Sequence, residues 1–309
     1  MKTKMMMTSV SAVALASAAA GAAIAQEAAA PEGGKYTLSF EGTFGRLDEA
    51  PADKWGSAGP GDKFGAQSLF YAGAMSLSRD LGENRDVRFG LVFGGTPSNV
   101  ESFSSGFSVG GSGYNYTSSL TNDLSFGAMD VEVGMTRAVG AGDLRLFGGL
   151  RGLASRSSSD LDADKTGTGG NVGDFLNADF DVASSFVGVG PRAGVGFSTG
   201  PKMSGFGLSA EVGAAAIFGQ RNDEVNIFID TNSGGPSGGV LSQSVTESQT
   251  VMNVDSKVSV DYYFSESAKV SLGYQARQFW NVDAFSTDEN PDSNQRLSDG
   301  VFLGFATKF

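Results

Sequence analysis

Polar and apolar residues alternate with a period of two along ten stretches of the chain, which predicts β-strands that each have one apolar face. In one of these stretches, Met129, Val131 and Val133 alternate with Asp130 and Glu132. The mature chain is therefore predicted to be all-β. The ten predicted strands are 36–46, 66–81, 87–96, 123–138, 144–156, 183–199, 206–219, 251–264, 268–281 and 299–309.

The connections between the predicted strands alternate between short and long. A soluble β-sandwich shows no such alternation, but an outer-membrane barrel combines an even strand number with short periplasmic turns and long outer loops. We therefore predict a transmembrane antiparallel up-and-down β-barrel of ten strands over 36–309, with short periplasmic turns. The weak glycine-rich strands leave this count open by two. The five long extracellular loops are predicted at 47–65, 97–122, 157–182, 220–250 and 282–298.

The first 25 residues have the pattern of a secretory signal peptide. Lys2 and Lys4 precede a short apolar run, and an A-x-A cleavage pattern follows at 23–25. A membrane-anchoring helix is the alternative, but it needs about 20 strongly apolar residues, and this run is short and rich in alanine. We predict a signal peptide over 1–25, a flexible segment over 26–35, and export through the periplasm to a Gram-negative outer membrane.

The chain of 309 residues contains no cysteine and no histidine. Without cysteine it has no disulfide, thiolate or iron–sulfur chemistry. Without histidine it lacks the commonest general base and the commonest metal ligand, so histidine triads and histidine-ligated zinc are excluded. We therefore expect no enzyme, no cofactor and no catalytic metal. A net charge of −12 also argues against a nucleic-acid partner.

The charged face of the predicted strands is expected to line the barrel lumen, because hydrocarbon penalises charges on the outer face. Both signs of charge occur on neighbouring strands. One interpretation is that ion pairs fill a narrow lumen, and the other is that the charges form a constriction that selects small solutes. The residues predicted to line the lumen are Arg145, Arg151, Arg192, Lys257, Arg277, Asp130, Glu132 and Asp261.

Aromatic residues lie near several predicted strand ends, which is typical of the girdles at membrane interfaces. They include Phe70, Tyr71, Phe279 and Trp280. The chain ends on Phe309, at the end of an alternating strand. This ending resembles the recognition signal that the outer-membrane barrel assembly machinery reads, so we predict that Phe309 is an assembly signal.

Two short motifs in the second half of the chain resemble a known family. Residues 188–194, GVGPRAG, are similar to the G-x-G-P-R-x-G stretch of the Legionella-type major outer membrane proteins. Residues 272–277 with Trp280 resemble that family's L-x-x-G-Y-R…W strand, and Gly304 and Phe309 fit its closing strand. The resemblance implies a pore-forming barrel. Because this chain lacks the cysteines of the family's disulfide-linked members, a covalent oligomer is not implied, and a non-covalent homo-oligomer stays open.

Three classes of function are considered. The first is a porin-like pore for ions or small solutes, and the second is a structural or adhesive barrel with a filled lumen and its function in the surface loops. The third, an outer-membrane enzyme, is disfavoured because comparable proteases and lipases use histidine.

The expected partners are outer-membrane lipid, lipopolysaccharide, the assembly machinery, and divalent cations at acidic loops. One such loop holds Asp160, Asp162 and Asp164, which have the spacing of a calcium loop without its remaining ligands.

Overall fold

The computed structural model of the protein describes residues 36–48, 68–97, 99–109, 112–169, 175–200, 205–231, 239–281 and 295–309. The predicted signal peptide and N-terminal segment lie outside these residues. Within the described ranges, no helix is long and apolar enough to cross a membrane. The strands are β1 (Tyr36–Asp48), β2 (Ser68–Gly82), β3 (Arg85–Gly95), β4 (Asn99–Val109), β5 (Ser112–Val139), β6 (Gly142–Gly169), β7 (Phe175–Thr199), β8 (Gly205–Thr231), β9 (Gly239–Ser265), β10 (Ala268–Trp280) and β11 (Gln295–Lys308).

The eleven strands form one antiparallel sheet that closes into a ring. β1 pairs with β11, and β3 pairs with the lower half of β5 from Arg85↔Met135 to Gly95↔Ser125. β4 pairs with the upper half of β5, from Asn99↔Asn122 to Val109↔Ser112. Because β3 and β4 follow one another along the same neighbour, the ring has ten strand positions. The predicted up-and-down barrel is therefore confirmed, with one strand position occupied by two segments.

Tight turns and both ends of the described chain lie at one end of the barrel. Described turns join β2 to β3, β5 to β6 and β9 to β10. The first of these turns uses left-handed backbone conformations, with φ values of 80°, 53° and 61° at Gly82, Glu83 and Asn84. At the same end, the Tyr36 N–H donates to the Phe309 carbonyl at 3.0 Å, and the Phe309 N–H donates to Tyr36 at 2.9 Å. Short turns face the periplasm in barrels of this kind, and we call this the turn end.

The structure corrects the predicted long loops at three segments, which extend the strands of the sheet. Most of 97–122, 157–182 and 220–250 is strand, because β5 to β9 run for 25 to 28 residues each. A membrane-crossing strand needs only about 9–11 residues. These segments are rich in Ser, Asp, Asn and Gly, which favour turns, but they also alternate with period two. Most of the other two predicted loops lies outside the described residues.

Along the long strands, the apolar and polar residues exchange faces. On β6, the outward-facing Leu150 is 56% exposed, and ten residues further on the outward face carries Asp160 instead. On β7, outward Val187 gives way to Asp181, while inward Ala178 and Val182 are buried. Apolar residues face outward where lipid is the solvent, and polar residues face outward where water is. The exchange therefore marks the outer boundary of the membrane-spanning part.

We call the strand segments beyond this boundary the extension, comprising 99–109, 112–124, 155–169, 175–186, 220–231 and 239–251. In the extension, β4 pairs only with β5 among the described residues. Likewise, the described partner of β9 from Gly239 to Val251 is β8, because the pairing with β10 begins at Met252. The described extension is thus a sheet with two edges, whereas the barrel below it is closed.

Candidate functional site in the barrel lumen

All eight residues that were predicted to line the lumen project from the inner face of the barrel. Strand register sets their heights: Asp130 faces Arg151 across β5 and β6, and Lys257 faces Gln275 across β9 and β10. Asp130, Glu132, Arg151, Arg192 and Asp261 are buried, and the remaining three are partly buried. That these side chains line a conducting pore stays a prediction.

Five of the inward residues form a buried ion network. Both carboxylate oxygens of Asp130 accept hydrogen bonds from Arg151 at 2.7 Å. Arg192 Nε donates to Glu132 at 2.8 Å. Asp255 links the Asp130–Arg151 pair to the Glu132–Arg192 pair. It accepts hydrogen bonds from Arg151 at 2.7 Å and from both Nη atoms of Arg192 at 2.5 and 2.9 Å. We call Asp130, Glu132, Arg151, Arg192 and Asp255 the central ion network.

Two inward glycines make room for arginine side chains. A Cβ atom on Gly213 would lie 2.8 Å from the guanidinium nitrogens of Arg192. A Cβ atom on Gly134 would lie 2.5 Å from Arg145 Nε and from Asp86 Oδ2. Arg145 occupies that space to bind Asp86 at 2.7 Å. Glycine thus lets bulky charged residues from the neighbouring strands lie flat against the inner wall.

The other inward charges pair nearer the turn end. Arg88 and Glu211, on strands far apart around the ring, meet across the lumen at 3.2 Å. Lys269 binds Asp261 at 2.8 Å, and Lys257 binds Glu41. A cavity of about 490 Å³ lies among these pairs. It reaches from side chains beside the tight turns up to the central ion network; its lining includes Thr37, Ser78, Asp143, Ser198, Arg151, Arg192, Asp255 and Arg277.

Above the central ion network, apolar side chains cross the whole bore. Phe126 on β5 and Phe279 on β10 come from opposite sides of the ten-position ring, yet their ring centroids are 5.8 Å apart. Phe126 also stacks on Phe70 at 5.9 Å. We call this set the apolar layer, and its members fall into two contacting clusters: Leu47, Phe70, Ala72 and Phe126, and Leu153, Phe186, Ala215, Ile217 and Val251 with Phe279.

Four side chains of the apolar layer are as fully buried as residues in the core of a soluble protein. Phe70, Phe186, Ile217 and Val251 each expose 1% or less of their surface. Charged residues return above it, where Arg221 binds Asp223 at 2.9 Å. The described side chains of the apolar layer therefore meet across the lumen between two polar regions.

The apolar layer corrects the predicted position of two aromatic residues. Phe70 and Phe279 point into the lumen and do not belong to an interfacial girdle. The alternation carried the necessary signal, since Tyr71 and Trp280 take the outward positions beside them. Sequence analysis also did not single out Asp86 or Asp255 as partners, although Asp255 alternates in phase with Lys257.

Outside the lumen, the extension carries rows of aspartates on its outer surface. On β6 and β7, Asp160 lies directly opposite Asp181, and Asp162 lies opposite Asp179. Partial burial and the charge of Asp181 raise the pKa of Asp160 above its ordinary value. Partial burial and the charges of Asp181 and Asp162 do the same to the pKa of Asp179. Among the described residues, no group of carboxylates is arranged to hold a metal ion, so divalent-cation binding stays a prediction.

We expect Asp179→Asn to stabilise the extension at pH 7. Like charges directly opposite each other on a sheet are destabilising by about 0.2–1 kcal/mol, and the substitution removes one charge opposite Asp162. Because the folded-state pKa values are raised, the repulsion is fully present above them and fades as the pH falls towards the unfolded value of about 3.9. Amide hydrogen exchange of β6 and β7 should therefore show slower opening in the variant at pH 7 and a smaller difference near pH 4.

Asp164→Asn is the matched control, because Asp164 faces Asn177 and has no directly opposite carboxylate. Equal protection in both variants would mean that cross-strand repulsion is not what weakens the extension.

The last residue, Phe309, closes the sheet against the first strand. Its ring stacks on Tyr36 with centroids 6.0 Å apart. Its role as an assembly signal stays a prediction.

Comparison with known proteins identifies a family. The family model described as Legionella pneumophila major outer membrane protein precursor matches residues 83–309. No curated protein sequence matches the chain. Several solved structures are similar at low identity. The Escherichia coli outer membrane protease OmpT shares 11% identity with a TM-score of 0.37, covering 88% of this chain and 97% of OmpT. The translocator domain of the Neisseria meningitidis autotransporter NalP shares 10% identity with a TM-score of 0.26, covering 98% of both chains.

A third similar structure is the attachment invasion locus protein Ail of Yersinia pestis, with 10% identity, a TM-score of 0.24, and coverage of 89% of this chain and 99% of Ail. At these TM-scores the three structures support no argument about the function of this chain. The family match covers well over half of the sequence and agrees with the closed ring of antiparallel strands. The protein is an outer-membrane β-barrel, and it belongs to the Legionella pneumophila major outer membrane protein family.

Proposed function

We propose that the protein is an outer-membrane barrel with a closed lumen, and that its working surface is the extension outside the membrane. The contact between Phe126 and Phe279 across the bore carries this proposal. A conducting pore needs a continuous polar or wettable path, whereas the apolar layer consists of buried and partly buried hydrophobic side chains. This corresponds to the structural or adhesive barrel among the classes that the sequence suggests.

The extension supports a role at the cell surface. About half of each strand from β5 to β9 lies in the extension, beyond the membrane-spanning part, and a strand advances about 3.3 Å per residue. Unpaired backbone N–H and C=O groups at a sheet edge are places where an extended partner strand can add. The extension has such edges at β4 and at Gly239–Val251 among the described residues.

Single-channel recording of the refolded protein in a planar bilayer tests the closed lumen. We expect no discrete conductance steps from protein whose folding and insertion are shown independently by circular dichroism and protease protection. Regular steps from the wild-type protein would overturn the proposal.

The second candidate is the porin-like pore, which the charged cavity of about 490 Å³ favours. In this case a conducting state would require the apolar layer to separate. Arg145→Glu together with Arg151→Glu would then change the sign of charge along the path, and the ion preference in a salt gradient should shift towards cations. Arg79→Glu on the outer face of β2 is the control. Unchanged preference in folded, conducting protein would count against these arginines as pore lining.

We infer that the protein has no enzymatic activity, because the chain lacks histidine and cysteine. Incubation of the purified barrel with peptide and phospholipid substrates tests this inference. Turnover that disappears on substitution of a lumen or extension carboxylate would contradict it.

A further inference from the structure

One lumen cation differs from the others because it has no carboxylate partner within the described residues. Arg277 lies on the inner face of β10 and lines the cavity. Its Nη2 donates to Gln275 Oε1 at 3.2 Å. Its Nη1 is buried and has no hydrogen-bond partner among the described groups. A buried guanidinium nitrogen without a partner is costly and calls for a water or an ion.

The register explains why Arg277 lacks a partner. Asp255 lies directly opposite it on β9, but both oxygens of Asp255 already accept hydrogen bonds from other arginines, from Arg151 at 2.7 Å and from Arg192 at 2.5 and 2.9 Å. The remaining inward cations below the apolar layer each bind a carboxylate within 3.2 Å; they are Arg88, Arg145, Lys257 and Lys269. Arg277 therefore lines the cavity with one guanidinium nitrogen that no described group satisfies.

We propose that Arg277 is the anion-binding group of the cavity and that it takes a small oxyanion, a carboxylate or a phosphate, that enters from the periplasm. A guanidinium presents a rigid fork of donors that matches oxyanions. The volume of about 490 Å³ is within the usual range for small-molecule sites. The apolar layer blocks the outer side, and the cavity lining continues to side chains beside the tight turns, such as Ser78 and Asp143. The route of entry from the periplasm rests on the proposed closed lumen, whereas the assignment of Arg277 as the anion-binding group does not.

Inorganic phosphate is the probe for this site. The unfolding midpoint of the refolded barrel in detergent is measured by circular dichroism at pH 7, as phosphate replaces sodium chloride at constant ionic strength. We expect a saturable rise in the midpoint for the wild-type protein. Arg277→Gln should weaken the apparent phosphate affinity about ten- to a hundredfold, since hydrogen bonds to charged groups contribute about 1.5–3 kcal/mol.

Two further variants complete the test. Arg79→Gln removes a cation on the outer face of β2, away from the cavity, and it should leave the phosphate response unchanged. Arg277→Lys keeps the charge without the fork and should bind phosphate more weakly than wild type. If Arg277→Gln does not fold, the comparison of the Lys variant with wild type decides. No saturable response in wild type, or the same response in every variant, would overturn the proposal and leave water as the partner of Arg277.

Discussion

Replacing both Phe126 and Phe279 by alanine is expected to give a barrel that conducts ions in discrete steps. The two rings meet at 5.8 Å from opposite sides of the bore, so their removal leaves a gap in the middle of the apolar layer. The polar cavity lies below this gap and the charged pair Arg221–Asp223 lies above it. An enclosed apolar cavity stays dry and a narrow hydrophobic constriction excludes water. We expect this gap to fill with water because it opens at both ends onto polar groups that supply the hydrogen-bond partners a water needs.

The double substitution also lowers the stability of the fold, since a Phe→Ala change at a buried site such as Phe126 costs about 3–5 kcal/mol. The variant is therefore refolded, and its unfolding midpoint in urea is measured before single-channel recording. A lack of conductance caused by unfolded protein is then recognised. Phe206→Ala with Phe218→Ala is the matched control, because both rings lie on the lipid-facing side and are more than half exposed. A folded, inserted F126A/F279A barrel that stays silent would show that the apolar layer is not the barrier.

Arg192→Met is expected to destabilise the folded barrel by about 3–5 kcal/mol, which is the usual cost of removing one partner from a buried ion pair. The Arg192 side chain is 3% exposed, and it binds Glu132 at 2.8 Å and Asp255 at 2.5 Å. Without Arg192, Glu132 keeps only the longer contact with Arg145 at 3.2 Å, and Asp255 keeps only its contact with Arg151. Equilibrium unfolding in urea, in the same detergent for all variants, measures the effect.

Arg88→Met provides the comparison within the same lumen. Arg88 and Glu211 are about 30% exposed to the cavity, and pairs with that access to water contribute about 0–1 kcal/mol. If the two variants lose equal stability, burial of the central ion network is not what makes Arg192 important. If neither loses stability, the network is not a stabilising element of the folded barrel.

Local alternation was enough to predict the strands in the membrane and the face on which each charge lies. This worked because a strand in a barrel has lipid on one side and the lumen on the other, so the polarity of each residue indicates which side it faces. Arg145 and Leu146 are neighbours in sequence, and their polarity alone assigns one to the lumen and the other to lipid. The weak point was the extension, where Asp160 and Leu161 alternate just as clearly but with the opposite meaning. Alternation gives two faces and does not say which solvent each face meets.

Contacts between distant parts of the chain were beyond the reach of that argument. Arg192 binds residues 60 and 63 positions away, and its partners depend on how far each neighbouring strand is shifted in the ring. The same shift brings Phe126 and Phe279 to one height, where they close the bore, and it leaves Arg277 opposite an Asp255 that other arginines already occupy. Composition and period two define a barrel with a charged interior, because both are properties of single strands. Whether the bore is open, and whether each inward charge has a partner, depends on strand register and on closure of the ring. Both are properties of all ten strand positions together.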